Sequence, residues 1–270
     1  MRGTLADRAW LFSAALSALV SGAACGGGTP SEADGPEDGM KVTHHGDGPG
    51  GSVSGGGEEM HVEGTVGGLS KTAVQRTFNE ARPKMKGCIE AGRKQQPYLG
   101  GDFDVALEID GSGKATSVLL PKSNIGSHEA EACITKVLAS TQWPRPVGGK
   151  LGKATSAFGW HSDHIDPPME WSADQLASAM NADRDPDEED PGPPPFAELE
   201  AKLTRCRTEA GAGPLDLTLV MDEDGMLQSY GVSRPDAQAA KTIGCFGTVL
   251  QTTSLPAPGG NYAKVTVRVK

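Results

Sequence analysis

Five cysteines are the residues of this 270-residue chain whose chemistry is best defined. Cys88 and Cys133 form one pair and Cys206 and Cys245 another, each set in matching sequence surroundings. A nucleophilic role for Cys88 or Cys206 alone is disfavoured, because the two occupy corresponding places in a repeated pattern. Four such cysteines in an exported chain read instead as a disulfide framework. His161-Ser-Asp-His164 gathers two imidazoles and a carboxylate. His161 and His164 are thus weak metal candidates, short of the three or four ligands a zinc site uses. His44-His45 lies in a Gly-rich stretch, and His61 and His128 have no evident partner. Asp110-Gly-Ser-Gly113 and Asp222-Glu-Asp-Gly225 place acids beside glycines, which turns favour for backbone reasons. The alternating acids and distant Glu of a calcium loop are missing. No G-x-S-x-G, P-loop or dinucleotide fingerprint occurs. The expectation is no catalytic residue, no metal and no cofactor. Lys84, Lys86, Arg93 and Lys94 form a small basic cluster. It suits anionic glycans, peptidoglycan or lipid heads, or simply the end of a helix, where cations are favourable.

The fifth cysteine bears on compartment. Arg2 and Arg8 precede an apolar run, Ala9 to Val20, then small residues, Ser21-Gly-Ala-Ala24, lead into Cys25. This is the layout of an export signal, and the run is too short for a ~30 Å hydrocarbon core, which takes roughly 20 apolar residues. Small residues directly before Cys25 resemble a bacterial lipobox, although Gly22 stands where that motif usually has Leu. The reading is residues 1–24 as signal peptide and Cys25 as the lipidated N-terminus, anchoring the protein to a membrane. An ordinary signal peptide cut nearby, leaving Cys25 as a thiol, is the alternative. Residues 25–60 then form a Gly-rich tether, too poor in apolar side chains to fold.

Formal net charge is −10, and it is unevenly placed. Residues 26–60 hold seven acids and one lysine, and residues 165–195 hold nine acids and one arginine. The remaining mature chain is slightly basic, with no basic stripe of the kind that nucleic acid needs. Nucleic acid is therefore not expected as a partner. Residues 165–195, ending in Pro193-Pro-Pro195, read as an acidic, Pro-rich linker. Within it Ser172-Ala-Asp-Gln175 resembles a capping box opening a helix over 173–180.

Around the cysteines the chain repeats itself. Phe78 stands ten residues before Cys88, as Phe196 does before Cys206; Gly113 stands twenty before Cys133, as Gly225 does before Cys245. Ten residues after the second cysteine of each pair come Trp143-Pro-Arg-Pro146 and Leu255-Pro-Ala-Pro258, each followed by a Gly-Gly pair. The spacing predicts, in residues 61–164, a helix over 72–91 kinked or split at Pro83, strands over 103–109 and 114–120, a helix over 127–139 and a strand over 152–160. Residues 196–270 predict helices over 197–208 and 236–250 and strands over 215–221, 226–233 and 262–269. The fold class is α+β: two tandem small domains, each two helices on a three-stranded antiparallel sheet. The repeat itself selects the bridges Cys88–Cys133 and Cys206–Cys245, since each unit then closes its own pair. A bridge over such a loop is worth roughly 2–4 kcal/mol to a thin core.

The helix ending in Cys, the strand–Gly turn–strand, and the helix whose Cys precedes an aromatic-Pro-x-Pro-x-Gly-Gly element resemble the AgmX/PglI C-terminal domain of myxobacterial proteins, itself similar to the TonB C-terminal fold. His61 to Ser70 resembles the family's first strand and entry turn. The second repeat departs from the pattern at Leu255 and in its shorter segment before the first hairpin. The resemblance implies a TonB-C-like interaction domain of the cell envelope that binds by strand addition. The resulting expectation is a non-catalytic, lipid-anchored adaptor or scaffold facing the periplasm, with the outer membrane favoured and an envelope protein as partner. A ligand- or glycan-binding protein using the groove between the two domains is the alternative.

Overall fold

The computed structural model describes residues 60–161, 166–182 and 193–270. The expected signal peptide, Cys25, nearly all of the tether, His44, His45 and His164 lie outside them. Over the described residues the fold is α+β, with five α-helices and two four-stranded sheets.

The first sheet contains β1 (Met60–Val66), β2 (Gly101–Ile109), β3 (Ala115–Leu119) and β4 (Gly152–Trp160), in the order β1-β4-β2-β3 with every pair antiparallel. Helices α1 (Lys71–Arg93) and α2 (His128–Ser140) accompany it. Ser70 caps α1 by accepting the Ala73 N–H, and the inward face is Val74, Phe78, Ala81, Met85, Cys88 and Ile89. Those apolar residues recur at three and four positions, so one stripe meets the sheet. Pro83 does not split α1: it lies on the exposed side, where water can take the carbonyl it leaves unpaired. Phe78 packs edge-on to Trp143 at 4.7 Å and to Phe158 at 5.4 Å, and Phe103 stacks on Phe158. Trp143 is buried and donates its indole N–H to Leu138 O, so the aromatic before the Pro-x-Pro element is a core residue.

The second sheet contains β5 (Met169–Trp171), β6 (Leu215–Met221), β7 (Leu227–Val232) and β8 (Ala263–Val269), in the order β5-β8-β6-β7. Helices α3 (Ala173–Met180), α4 (Pro195–Ala210) and α5 (Ile243–Gln251) accompany it. Its core holds Leu203, Leu217, Leu219, Phe246, Leu250 and Val265, with Leu176 of α3 fully buried among them.

Each sheet thus has four strands rather than the expected three, because both closing strands carry a further partner. In the first sheet β1 pairs antiparallel with β4. In the second, β5 pairs parallel with β8 and comes from residues read as linker. Strand β5 and helix α3, with its Ser172–Gln175 capping box, fold onto the second sheet. The helix expected over 236–250 begins later: Asp236 accepts the Gln238 and Ala239 N–H groups, a 3-10 turn follows over Ala239–Thr242, and α5 starts at Ile243. On α2 the inward residues are Ala130, Glu131, Ile134 and Leu138; Cys133, expected inward, is exposed.

The two halves share one junction. The open face of the second sheet, carrying Thr218, Val220 and Lys264, lies against the loop Leu120–Ser127 and the start of β2. Thr218 Oγ1 donates to Ser123 O, and Lys264 Nζ donates to Gly100 O at 3.0 Å. Gly126 takes a φ of +83°, and a Cβ there would meet Val220 Cγ2, so the close approach requires glycine.

Candidate functional site

The four core cysteines form Cys88–Cys133 and Cys206–Cys245, each with Cα atoms 5.7 Å apart. Each bond ties the first long helix of its half to the second, and no free thiol remains among these four. His161 follows β4, is exposed, and has Nε2 3.2 Å from Asp102 Oδ1. No group of three or more His, Cys, Asp and Glu that could hold a metal ion gathers among the described residues. The two acidic turns are structural. Asp110 Oδ1 accepts the Ser112 hydroxyl and the N–H groups of Ser112 and Lys114, which together hold its carboxyl below the usual range. Asp222 Oδ1 likewise accepts the Asp224 and Met226 N–H groups. Of the basic cluster, Arg93 donates Nε to Leu99 O at 2.7 Å.

Sheet edges show a sharper contrast. An edge strand exposes N–H and C=O groups that recruit other strands unless they are covered. Strand β7 is covered along its free edge by the first half. Glu131, fully buried, accepts the Val232 N–H at 2.8 Å and the Ser123 hydroxyl at 2.6 Å. His128 Nδ1 stands 3.3 Å from Tyr230 O, with its ring stacked on Tyr230 at 4.7 Å. Beyond the strand, Leu120 and Arg234 exchange both backbone hydrogen bonds in an antiparallel bridge. Burial pushes the Glu131 carboxyl up to about 7, against the hydrogen bonds from Ser123 and Val232 and the nearby Arg234 charge.

Strand β3, which the repeat makes the counterpart of β7, is not covered in this way. Leu120 directs its N–H and C=O away from β2 toward Arg234. Backbone alternation gives Val118, two residues earlier, the same outward direction. Beside this edge runs a groove of about 310 Å³ between β3 and α2, lined by Ala115, Thr116, Val118, Thr135, Lys136 and Ala139. Small side chains on both walls leave room for an extended chain.

A third feature is a cleft of about 670 Å³ where the end of α1, the start of α2, β7 and α5 meet. It is lined by residues of both halves, among them Gln95, Gln96, His128, Ser229, Tyr230 and Gln251. Residue spacing pointed to neither Glu131 nor Val118; a groove between the two domains is the alternative ligand site of the sequence reading, with no residue of this cleft assigned to it. The available signal was Glu131 itself, a carboxylate beside Ala130 on the stripe that α2 turns inward.

Among the described residues no helix is long and apolar enough to cross a membrane. No known family's model, no curated protein and no solved structure matches the chain.

Proposed function

We propose that this protein is a non-catalytic, exported adaptor, anchored through a lipid on Cys25 and facing the periplasm, that holds an envelope partner by strand addition to β3. The observation that carries the reading is the outward-facing main chain of Val118 beside the β3–α2 groove. A partner strand laid there would draw its affinity from main-chain hydrogen bonds and its selectivity from the groove. Lys136 lines the groove and would favour a carboxylate on the partner. The repeat supports this choice of edge, because the corresponding edge of β7 is engaged within the molecule by Glu131, His128 and Leu120. The resemblance to AgmX/PglI and TonB C-terminal domains fits such a role, with the two halves as tandem units of that kind, the second reaching back to β5 and α3. An outer-membrane anchor with an acidic tether agrees with residues 1–60 of the sequence.

The test places a photo-cross-linking residue at Thr116 of the full chain in living cells. A discrete cross-linked partner is expected, and it should be lost in Val118→Pro. Proline is tolerated at an edge whose N–H faces outward, so that variant should keep its fold by circular dichroism while losing the partner. No discrete product from Thr116, or one that persists in Val118→Pro, would overturn strand addition at β3.

A further inference from the structure

We infer that the cleft at the junction of the two halves binds an uncharged glycan. This goes beyond the adaptor role and does not rest on it. Buried polar groups are nearly always paired, and each exception asks for an explanation. Gln96 is only 7% exposed and its Nε2 has no partner in the protein; the half-buried Ser229 likewise has an Oγ with none. Both residues line this one cleft. Two unpaired donor groups on residues that line one concavity from different halves are what a hydroxyl-bearing ligand would satisfy once their side chains turn toward it.

The rest of the lining narrows the class. Gln95 and Gln251 add two exposed side-chain amides at the rim. An amide offers an acceptor and two donors, so it can engage neighbouring sugar hydroxyls together. The stacked His128 and Tyr230 rings contribute an apolar surface for the C–H face of a pyranose. Neither Lys nor Arg lines the cleft, and its one carboxylate, Glu129, is largely exposed with an oxygen 3.2 Å from His128 Nε2. A phosphate or carboxylate ligand would find no countercharge there. The Cys88–Cys133 bond also lines the cleft and holds the end of α1 against α2, fixing one wall before a ligand arrives.

The experiment is calorimetric titration of the full chain with chitotriose, cellotriose and maltotriose, and with a tri-galacturonate as anionic control. Saturable binding of at least one neutral trisaccharide is expected. It should weaken by about tenfold or more in Gln96→Leu, whose melting temperature should not fall, since the change removes an unpaired buried amide. Gln251→Ala, an exposed rim change, should also weaken binding, and it decides the matter if Gln96→Leu fails to fold. No saturable heat from any neutral sugar up to about 10 mM, a range in which even weak binding registers, would overturn the inference. So would binding unchanged in the folded variants, or tighter binding of the anionic control.

Discussion

The carboxylate of Glu131 on α2 accepts the backbone N–H of Val232, on the free edge of β7, at 2.8 Å. A side chain from one repeat thereby caps the edge strand of the other. The same oxygen pair takes the Ser123 hydroxyl, so the carboxylate is held from both sides of the junction. Edge strands invite pairing with foreign chains, and covering them is one way proteins prevent it. Here the cover is internal, whereas its counterpart β3 in the first sheet keeps an edge with a groove beside it.

Burial of Glu131 makes the junction sensitive to pH. Its carboxyl is raised from 4.5 to about 7 in the fold. The folded state therefore holds the proton more tightly, and the resulting stabilisation is complete below the unfolded value and is lost as pH rises toward 7. The groups bearing on it are Arg234 and Glu129, with His128 one turn before it on α2. Between about pH 4.5 and 7 the contribution falls by on the order of 3 kcal/mol at most. Glu131→Gln should flatten this part of the profile, while still accepting the Val232 N–H. Urea unfolding at several pH values checks it; an equal slope in wild type and variant would contradict it.

Gly231 of β7 should admit no larger residue. A Cβ there would lie 2.6 Å from Glu131 Oε1 and 2.9 Å from Gly126 N. Gly231→Val must displace the carboxylate or separate the halves, leaving a buried Val232 N–H unpaired. A loss of roughly 2–3 kcal/mol is expected, in line with exposing an unsatisfied buried donor and overpacking a close contact. Both aromatic signals and disulfides should persist, since neither half's own core is touched. Near-ultraviolet dichroism with denaturant titration distinguishes this from global collapse.

The elements within each half were legible because their signals are local. The three-and-four spacing of Val74, Phe78, Ala81, Met85 and Ile89 marks the face that α1 buries. The alternation of Phe103, Val105, Leu107 and Ile109 marks the inward face of β2. The matched intervals around Cys88, Cys133, Cys206 and Cys245 matched the bonds formed. What was not legible depends on contacts distant in sequence. Met169–Trp171 is too short to read as a strand, and it becomes one only because β8 offers an edge. Val220 breaks the alternation of β6, apolar where a polar residue would suit a solvated face, because Gly126 of the other half covers it. The cleft is assembled from segments more than a hundred residues apart, and its amides give no spacing pattern.

The two Asp-x-x-Gly turns should respond alike to substitution. Gly113 and Gly225 have φ of +85° and +80°, and a Cβ would run into the Trp143 carbonyl in one and the Leu255 carbonyl in the other. These carbonyls belong to the residue before each Pro-x-Pro element, so the turn and that element are braced together. Gly113→Ala and Gly225→Ala should each cost about 1–3 kcal/mol, the cost of left-handed strain plus a backbone clash. Thermal or chemical unfolding measures both; a large effect at one and none at the other would argue against equivalence of the repeats.

The two disulfides should differ in what their removal does. They close spans of 45 and 39 residues, so chain entropy alone assigns each a similar contribution of about 4 kcal/mol. Their surroundings are unlike. Cys133 lies two residues after Glu131 on α2, and the Cys88–Cys133 bond lines the junction cleft. Removing it frees the helix that carries both His128 and Glu131, the side chains covering β7. Cys88→Ser with Cys133→Ser should therefore lower stability and also speed hydrogen exchange at the Val232 amide. Cys206→Ser with Cys245→Ser should lower stability by a comparable amount, with Val232 exchange rising only through global unfolding. Exchange measured under conditions where both variants remain folded separates the cases. Equal Val232 protection in the two would mean that the junction is held by the Leu120–Arg234 bridge, the Thr218–Ser123 contact and Lys264, and that α2 merely rests on it.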